Sequence, residues 1–163
     1  MKKHLFQVMT ENEQTFEKLA RDIWEHPQVG YEETYASSLQ KDFLSKEGFH
    51  ITTNVGDVET AFVAEWGKGK PIIGLLGEFD ALPGLSQQDQ PTYAPVVEGG
   101  AGHGCGHNLL GTASIEAVVA LKQLMSEQNI TGTIRYYGCP AEELLSGKSY
   151  MARAGVFDDL DVV

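Results

Sequence analysis

Hydrophobic residues near the N-terminus recur at the spacing of a helix. Phe16, Leu19 and Ile23 lie three or four residues apart, which is typical of a helix with one apolar face. Thr10 is followed by a glutamate three residues later, the spacing of a capping box, so we expect the helix to begin near Thr10. Because the residue before a proline disfavours helical backbone, Pro27 is expected to end this helix.

The next segments predict a second helix and three strands. The segment TYASSLQKDFLSKEG places Leu39, Phe43 and Leu44 on one face, and Gly48 is suited to ending that helix. Strands are expected in FHITTNV, TAFVAEW and PIIGLLG. Because PIIGLLG is almost continuously apolar, it is predicted to be a strand buried on both faces.

The second half of the chain alternates between helical and strand patterns. A long segment rich in Gly, Pro and Gln, residues 78–106, precedes the strong helical pattern NLLGTASIEAVVALKQLMSEQN. That helix is expected to bury Leu110, Ala113, Ala117, Leu121 and Leu124. A strand in GTIRYYG, a short helix in SGKSYMARAG and the start of a strand in DLDVV follow. This order predicts an α/β fold in which helices flank a central, largely buried sheet.

Length, composition and charge exclude some classes of function but do not identify one. The 163 residues, 42% of them hydrophobic, are enough for one domain with a core. A formal net charge of −11 argues against a nucleic-acid partner and against adhesion to an anionic membrane, since both require clustered Lys and Arg. No apolar run approaches the roughly 18–20 residues of a membrane span, and no secretory apolar core is evident. We therefore expect a cytoplasmic protein.

The stretch GGAGHGCGHNLLG combines two histidines and a cysteine with many glycines. A dinucleotide-binding loop would need a glycine where His107 stands, and a P-loop ending in LSGKS would need one where Glu142 stands. A redox motif would need C-x-x-C, and a flexible linker explains only the glycines. A metal site explains every feature, since Cys105 and His107 are strong ligands for zinc-like ions. By itself, however, such a pair is equally typical of a structural role.

Carboxylates follow two of the predicted strands. Glu142 and Glu143 come after GTIRYYG in the sequence PAEE, and Glu78 and Asp80 come after PIIGLLG in GEFDALPG. Sites in open α/β sheets lie outside the carboxyl ends of the strands, so these carboxylates and the Cys–His pair are expected to converge. The alternative for PAEE is a pair of solvated acids at the start of a helix, where the helix dipole favours them.

Taken in order, GEFDALPG, GHGCGHN and PAEE resemble motifs of the M20 metallopeptidase/amidohydrolase family. The Cys-Gly-His form points to its aminoacylase-like branch, and GHGCGHNLLGTA with GEFDALPGLSQ is most similar to the p-aminobenzoyl-glutamate hydrolase B-subunit type. The segment HPQVGYEE also matches the family pattern H-P-x-x-G-x-x-E. The motifs are specific jointly rather than singly.

The resemblance implies a role for five residues. Cys105 would bridge two metal ions, and His107 and Glu143 would each ligate a metal ion. Glu142 would be the general base, and Asp80 would orient the ligands without binding the metal itself. The implied cofactor is a pair of divalent ions (Zn, Mn or Co), which lowers the pKa of a bound water and polarises the amide carbonyl.

Some residues fall outside this ligand set or depart from the family pattern. Cys139 is interpreted as a small buried residue, since a disulfide is not expected in the cytoplasm. His103 flanks the implied ligands and is able to hydrogen-bond nearby, and metal binding is the less favoured role for it. Asn108 and Leu110 replace the Asp and His of many relatives, which fits the aminobenzoyl-glutamate type, and LLSG follows PAEE where that type commonly has a glycine run.

The resemblance also implies a longer protein. Family members are more than twice this length, with an inserted lid domain that often forms the dimer interface and with two further His ligands. Residues 1–163 are therefore expected to be the N-terminal part of the catalytic domain, without the lid domain and the C-terminal part. The expected full-length form is a homodimeric, metal-dependent amidohydrolase acting on an N-acyl or N-aroyl amino acid, such as p-aminobenzoyl-glutamate, or on a dipeptide. The alternatives are an inactive fragment with an incomplete metal site and a non-catalytic metal carrier.

Overall fold

The computed structural model describes residues 2–163, and within them four α-helices, one short 3₁₀ helix (Val55–Asp57) and four strands form one α/β arrangement. The helices are α1 (Lys2–Glu25), α2 (Thr34–Lys46), α3 (His107–Gln128) and α4 (Gly147–Arg153). The strands are β1 (His50–Thr53), β2 (Phe62–Lys68), β3 (Ile72–Glu78) and β4 (Gly132–Cys139). The α/β architecture predicted from the hydrophobic pattern is confirmed.

The sheet has the strand order β1-β2-β4-β3. β1 pairs with β2 and β2 with β4 in antiparallel fashion, whereas β3 and β4 are parallel, with Glu78 opposite Cys139. The loops that follow β3 and β4 therefore leave the sheet at the same edge. α3 packs against β3 and β4, α2 against β1 and β2, and α1 against α3.

The most deeply buried strand is β4 rather than β3. Every residue of β4 except Arg135 is buried, whereas β3 buries only Gly74 and Gly77 fully. The prediction that PIIGLLG is buried on both faces was wrong, because β3 is an edge strand of the sheet formed by residues 2–163. On its outer side, a single parallel bridge joins Ile73 to Val162.

The start of α1 also differs from the prediction. The helix begins at Lys2 rather than near Thr10, whose hydroxyl donates a hydrogen bond to the carbonyl of Phe6 at 3.0 Å inside the helix. The predicted apolar face is correct, since Phe16 and Ile23 are buried together with Leu19. The capping-box spacing was misleading because a threonine within a helix can satisfy its hydroxyl on the preceding turn.

The buried face of α3 matches the prediction only toward the end of the helix. Leu124 is buried and Ala117 and Leu121 are half-buried, but Leu110 and Ala113 are exposed. Near the start of the helix, Gly111 is buried instead. Gly111 allows a close approach to the sheet, since a Cβ there would lie 2.3 Å from the carbonyl oxygen of Glu78. This contact packs the start of α3 against the end of β3. His107, the first residue of the helix, therefore lies at the sheet edge where β3 ends.

α3 is long and apolar enough to span a membrane by length and mean hydropathy (1.2), the one such helix among residues 2–163. Its buried residues nevertheless pack on the sheet and on α1. This is the pattern of a core helix. The aromatic side chains of Phe62, Phe79 and Tyr136 complete the core beneath it.

Candidate metal centre

The five site residues predicted from the sequence all lie at the edge where β3 and β4 end. Asp80 follows β3, Glu142 and Glu143 follow β4, and His107 is the first residue of α3. Cys105 lies in the turn before α3 and is joined to it by Gly106, whose φ of +84° belongs to the left-handed region that favours glycine. The parallel pairing brings the motifs after β3 and β4 together, and the packing of α3 on these strands adds the motif that contains Cys105 and His107.

Three side chains at this edge could hold a metal ion. The Sγ of Cys105, a ring nitrogen of His107 and a carboxylate oxygen of Glu143 all lie within 4.8 Å of one another. Cys105 is exposed, Glu143 is half-buried and His107 is buried. Thiolate, imidazole and carboxylate are the ligand types that zinc-like divalent ions accept.

Two features of this group fit a cation. The Oε1 of Glu143 is buried and has no hydrogen-bond partner in the part of the chain that the structure describes. A buried carboxylate oxygen without a partner is costly. Desolvation and the neighbouring Glu143 carboxylate raise the pKa of the Cys105 thiol, an effect that a bound cation would reverse because it stabilises the thiolate.

The orientation of His107 leaves one ring nitrogen facing the ligand group. Its Nδ1 lies 2.8 Å from Oδ1 of Asp80, which fixes Nδ1 as the protonated nitrogen. Its Nε2 lies 3.6 Å from Oε2 of Glu142 and 3.9 Å from Oε1 of Glu143. A histidine held by a carboxylate on one nitrogen, with the other free, is the usual arrangement of a metal-binding imidazole. The hydrogen bond to Asp80 raises the pKa of His107 despite its burial.

Asp80 supports two members of the group at once. Its Oδ1 accepts the hydrogen bond from His107, and its Oδ2 accepts one from the backbone N–H of Glu143 at 2.9 Å. The side chain is fully buried. Burial raises the pKa of Asp80, but these hydrogen bonds outweigh it and hold the pKa below its ordinary value. Asp80 is therefore held as a carboxylate.

Glu142 and Glu78 differ in their relation to the ligand group. Glu142 lies at its border and is about one-third exposed, so its carboxylate can reach both the group and solvent. It lies in a turn before α4, not at the start of a helix, which removes the dipole explanation of PAEE. Glu78 points elsewhere and pairs with Lys148 of α4.

His103 does not belong to the group of three. Its ring is buried beside the backbone of Ile23, and neither ring nitrogen makes a hydrogen bond of full geometry within residues 2–163. Burial lowers the pKa of His103 to about 4, so the ring is neutral near pH 7. Cys139 is fully buried, as expected, and both cysteines are free.

Glu33, the last residue of HPQVGYEE, had no predicted role, although it is completely buried beside PAEE. The signal was its place in a family motif. Its partner lies 108 residues away along the chain, and no local pattern reveals such a contact.

Cys, His and Glu side chains able to ligate a metal ion lie together at the carboxyl ends of parallel strands in an α/β domain, an arrangement typical of metallohydrolase-like domains. The chain belongs to peptidase family M20/M25/M40, whose family model matches residues 74–163. That range contains all five site residues discussed above.

Individual relatives extend the comparison. The chain is 50% identical over 151 residues to the B-subunit of p-aminobenzoyl-glutamate hydrolase from Escherichia coli, covering 91% of this chain and 31% of that protein. It is 30% identical over 148 residues to N-acetylcysteine deacetylase of Bacillus subtilis, covering 89% of this chain and 37% of that protein. The chain thus spans about a third of the length of these curated relatives.

A solved structure shares the fold. The crystal structure of a dinuclear metal-binding peptidase of the M20 family from Bacillus subtilis superposes with a TM-score of 0.78 at 28% identity. The match covers 96% of this chain and 42% of that protein.

Proposed function

We propose that this chain carries part of the active site of a metal-dependent amidohydrolase. The observation that carries the proposal is the meeting of Cys105, His107 and Glu143 within 4.8 Å, with Glu142 at the border of the group. Similarity to a hydrolase and to a deacetylase supports an amidohydrolase over an inactive fragment or a metal carrier.

The residues divide the work according to their contacts. Cys105, His107 and Glu143 would hold the metal, which when bound would polarise an amide carbonyl and acidify a water molecule. Asp80 keeps the proton of His107 on Nδ1 and so keeps Nε2 available. Glu142 is partly exposed and its carboxylate can accept a proton from water and donate it to the leaving nitrogen.

The substrate class follows from the relatives. We propose an N-acyl or N-aroyl amino acid, such as p-aminobenzoyl-glutamate, or a dipeptide, because the relatives are named for p-aminobenzoyl-glutamate and N-acetylcysteine. Two divalent ions (Zn, Mn or Co) are proposed, and the dinuclear centre of the structural neighbour supports that number.

Assembly and location are also proposals. A homodimer follows from the family resemblance, while the Escherichia coli relative is one subunit of a hydrolase, which supports assembly with a further chain. A cytoplasmic location is in keeping with the free thiols of Cys105 and Cys139.

Hydrolysis by the complete gene product tests the function. With Zn, Mn or Co added, release of p-aminobenzoate from p-aminobenzoyl-glutamate is expected, and Glu142→Gln is expected to lower kcat by about 10²–10⁴-fold. Metal stoichiometry, measured by mass spectrometry, should be the same in wild type and Glu142→Gln. Glu59→Gln, at an exposed position, is the matched control. A wild-type rate in Glu142→Gln would remove that residue as the base, and purified protein that binds no divalent ion would refute the metal centre.

A further inference from the structure

A buried carboxylate lies immediately behind the turn that carries the two adjacent glutamates. Glu33 stands at the start of α2 and is 0% exposed. Its Oε1 accepts a hydrogen bond from the backbone N–H of Ala141 at 2.7 Å, and its Oε2 accepts one from the hydroxyl of Thr60 at 3.1 Å. A buried carboxyl group is costly unless its oxygens accept hydrogen bonds. Here one donor is the backbone N–H of Ala141, the residue directly before Glu142 and Glu143.

Ala141 has a backbone conformation that needs support. Its φ is +52°, in the left-handed region that residues with a Cβ seldom adopt. The packing around it is close, since a Cβ on Gly30 would lie 3.1 Å from the Cα of Ala141. Because the conformation of Ala141 sets the direction of the next two residues, whatever fixes it also aims Glu142 and Glu143.

The amides on either side of Glu142 are each bound by a buried carboxylate. Glu33 binds the N–H of Ala141, and Asp80 binds the N–H of Glu143 at 2.9 Å. We call Glu33 and Asp80 the two-carboxylate clamp. Asp80 also holds His107, so the clamp links the turn to the imidazole of the candidate metal centre.

The segment HPQVGYEE joins the two halves of this clamp. Val29 forms a parallel bridge with Ala81, and the N–H of Ala81 donates to the carbonyl of Gln28 at 2.8 Å. The same segment therefore touches the loop after β3, next to Asp80, and through Glu33 the loop after β4. One short segment near the N-terminus therefore contacts both loops and fixes their relative position.

We propose that Glu33 is a positioning residue of the candidate metal centre, which fixes the Ala141 turn through a hydrogen bond and thereby presents Glu142 and Glu143. This inference rests on the proposed function. If Glu33 had a purely structural role, replacing it would lower stability without a specific effect on the Ala141 amide or on metal affinity.

Three variants of the complete gene product separate these roles. Glu33→Met has a similar length and cannot accept the bond, Glu33→Gln keeps an acceptor oxygen, and Thr60→Val removes only the bond to Oε2. The first readout is hydrogen exchange of the Ala141 amide in the metal-free protein, followed by NMR. The second is affinity for Co²⁺ alone, followed by absorption.

Glu33→Met is expected to speed exchange of the Ala141 amide by about tenfold, the effect of losing one buried hydrogen bond. It is also expected to weaken Co²⁺ binding by about 10–100-fold, as loss of a group that orients ligands does. Glu33→Gln should restore both readouts toward wild type, and Thr60→Val should leave both close to wild type. If Glu33→Met does not fold, Glu33→Asp, one methylene too short to reach the amide, is expected to show the same two effects.

Three outcomes would overturn the inference. One is wild-type exchange and Co²⁺ affinity in a folded Glu33→Met or Glu33→Asp protein. Another is an equal loss in Thr60→Val, which would indicate general destabilisation. The third is a Glu33→Gln protein as impaired as Glu33→Met. Wild-type protein that binds no Co²⁺ would instead refute the proposed function, while exchange at Ala141 would still test the contact itself.

Discussion

Replacing Asp80 with asparagine disturbs two buried hydrogen bonds with a change of one atom. The carboxylate accepts from Nδ1 of His107 at 2.8 Å and from the N–H of Glu143 at 2.9 Å. Asparagine keeps one acceptor and turns the other into an NH₂ donor. If the NH₂ faces Glu143, two donors oppose each other. If it faces His107, Nδ1 must become an acceptor, and the ring proton moves to Nε2, the nitrogen that faces the ligand group.

Either orientation of the asparagine side chain should lower both the stability of the protein and its affinity for metal. A hydrogen bond to a charged group contributes about 1.5–3 kcal/mol to stability, so the free energy of unfolding of the metal-free protein should fall by about that amount. Loss of the group that orients a ligating histidine typically lowers metal affinity by about 10–100-fold.

Two measurements on the complete gene product check these values. Urea denaturation of the metal-free protein gives the change in stability, and titration with Co²⁺ gives the change in affinity. Asp42→Asn, an exposed position on α2, removes the same charge away from the site and should match wild type in both. If Asp80→Asn kept wild-type stability and Co²⁺ affinity, the bonds from Asp80 would not hold His107 and Glu143 as described.

Further predictions concern packing, the thiol and pH. Gly111→Ala should lower the melting temperature, with a loss of about 1–3 kcal/mol from overpacking, because the new Cβ would meet the Glu78 carbonyl; a rise, as helix propensity alone predicts, would contradict this contact. Cys105→Ser should abolish the thiolate-to-cobalt absorption of the Co²⁺-loaded protein, and Cys139→Ala should preserve it. Burial raises the pKa of Glu33, so the folded protein retains a proton that the unfolded chain releases, and stability falls as the pH rises above the ordinary carboxyl range of about 4. Glu33→Gln lacks this loss, and its unfolding free energy relative to wild type should therefore increase between about pH 4 and pH 7 in urea titrations.

The sequence pattern predicted elements whose signals are local. Gly48 ends the second helix close to the expected position, with φ +84°, and the apolar spacing around Phe16 and Leu19 identified the buried face of α1. The order of the strands in the sheet could not be predicted from local sequence patterns. An apolar run such as PIIGLLG fits a central strand and an edge strand equally well, and its place depends on pairing with β4, more than fifty residues further along the chain.

The candidate site shows the same division between local and non-local information. Residue types in short motifs indicated Cys105, His107 and Glu143, since the chemistry of a ligand is visible in a single side chain. Their meeting depends on the parallel pairing of β3 with β4. If those strands were antiparallel, PAEE would follow its strand at the opposite edge of the sheet from Asp80, and the Glu143 amide could not share the carboxylate that binds His107. The direction of one strand pair, the packing of α3 on those strands and the contact from Glu33 to Ala141 together bring three separate motifs into one candidate metal centre.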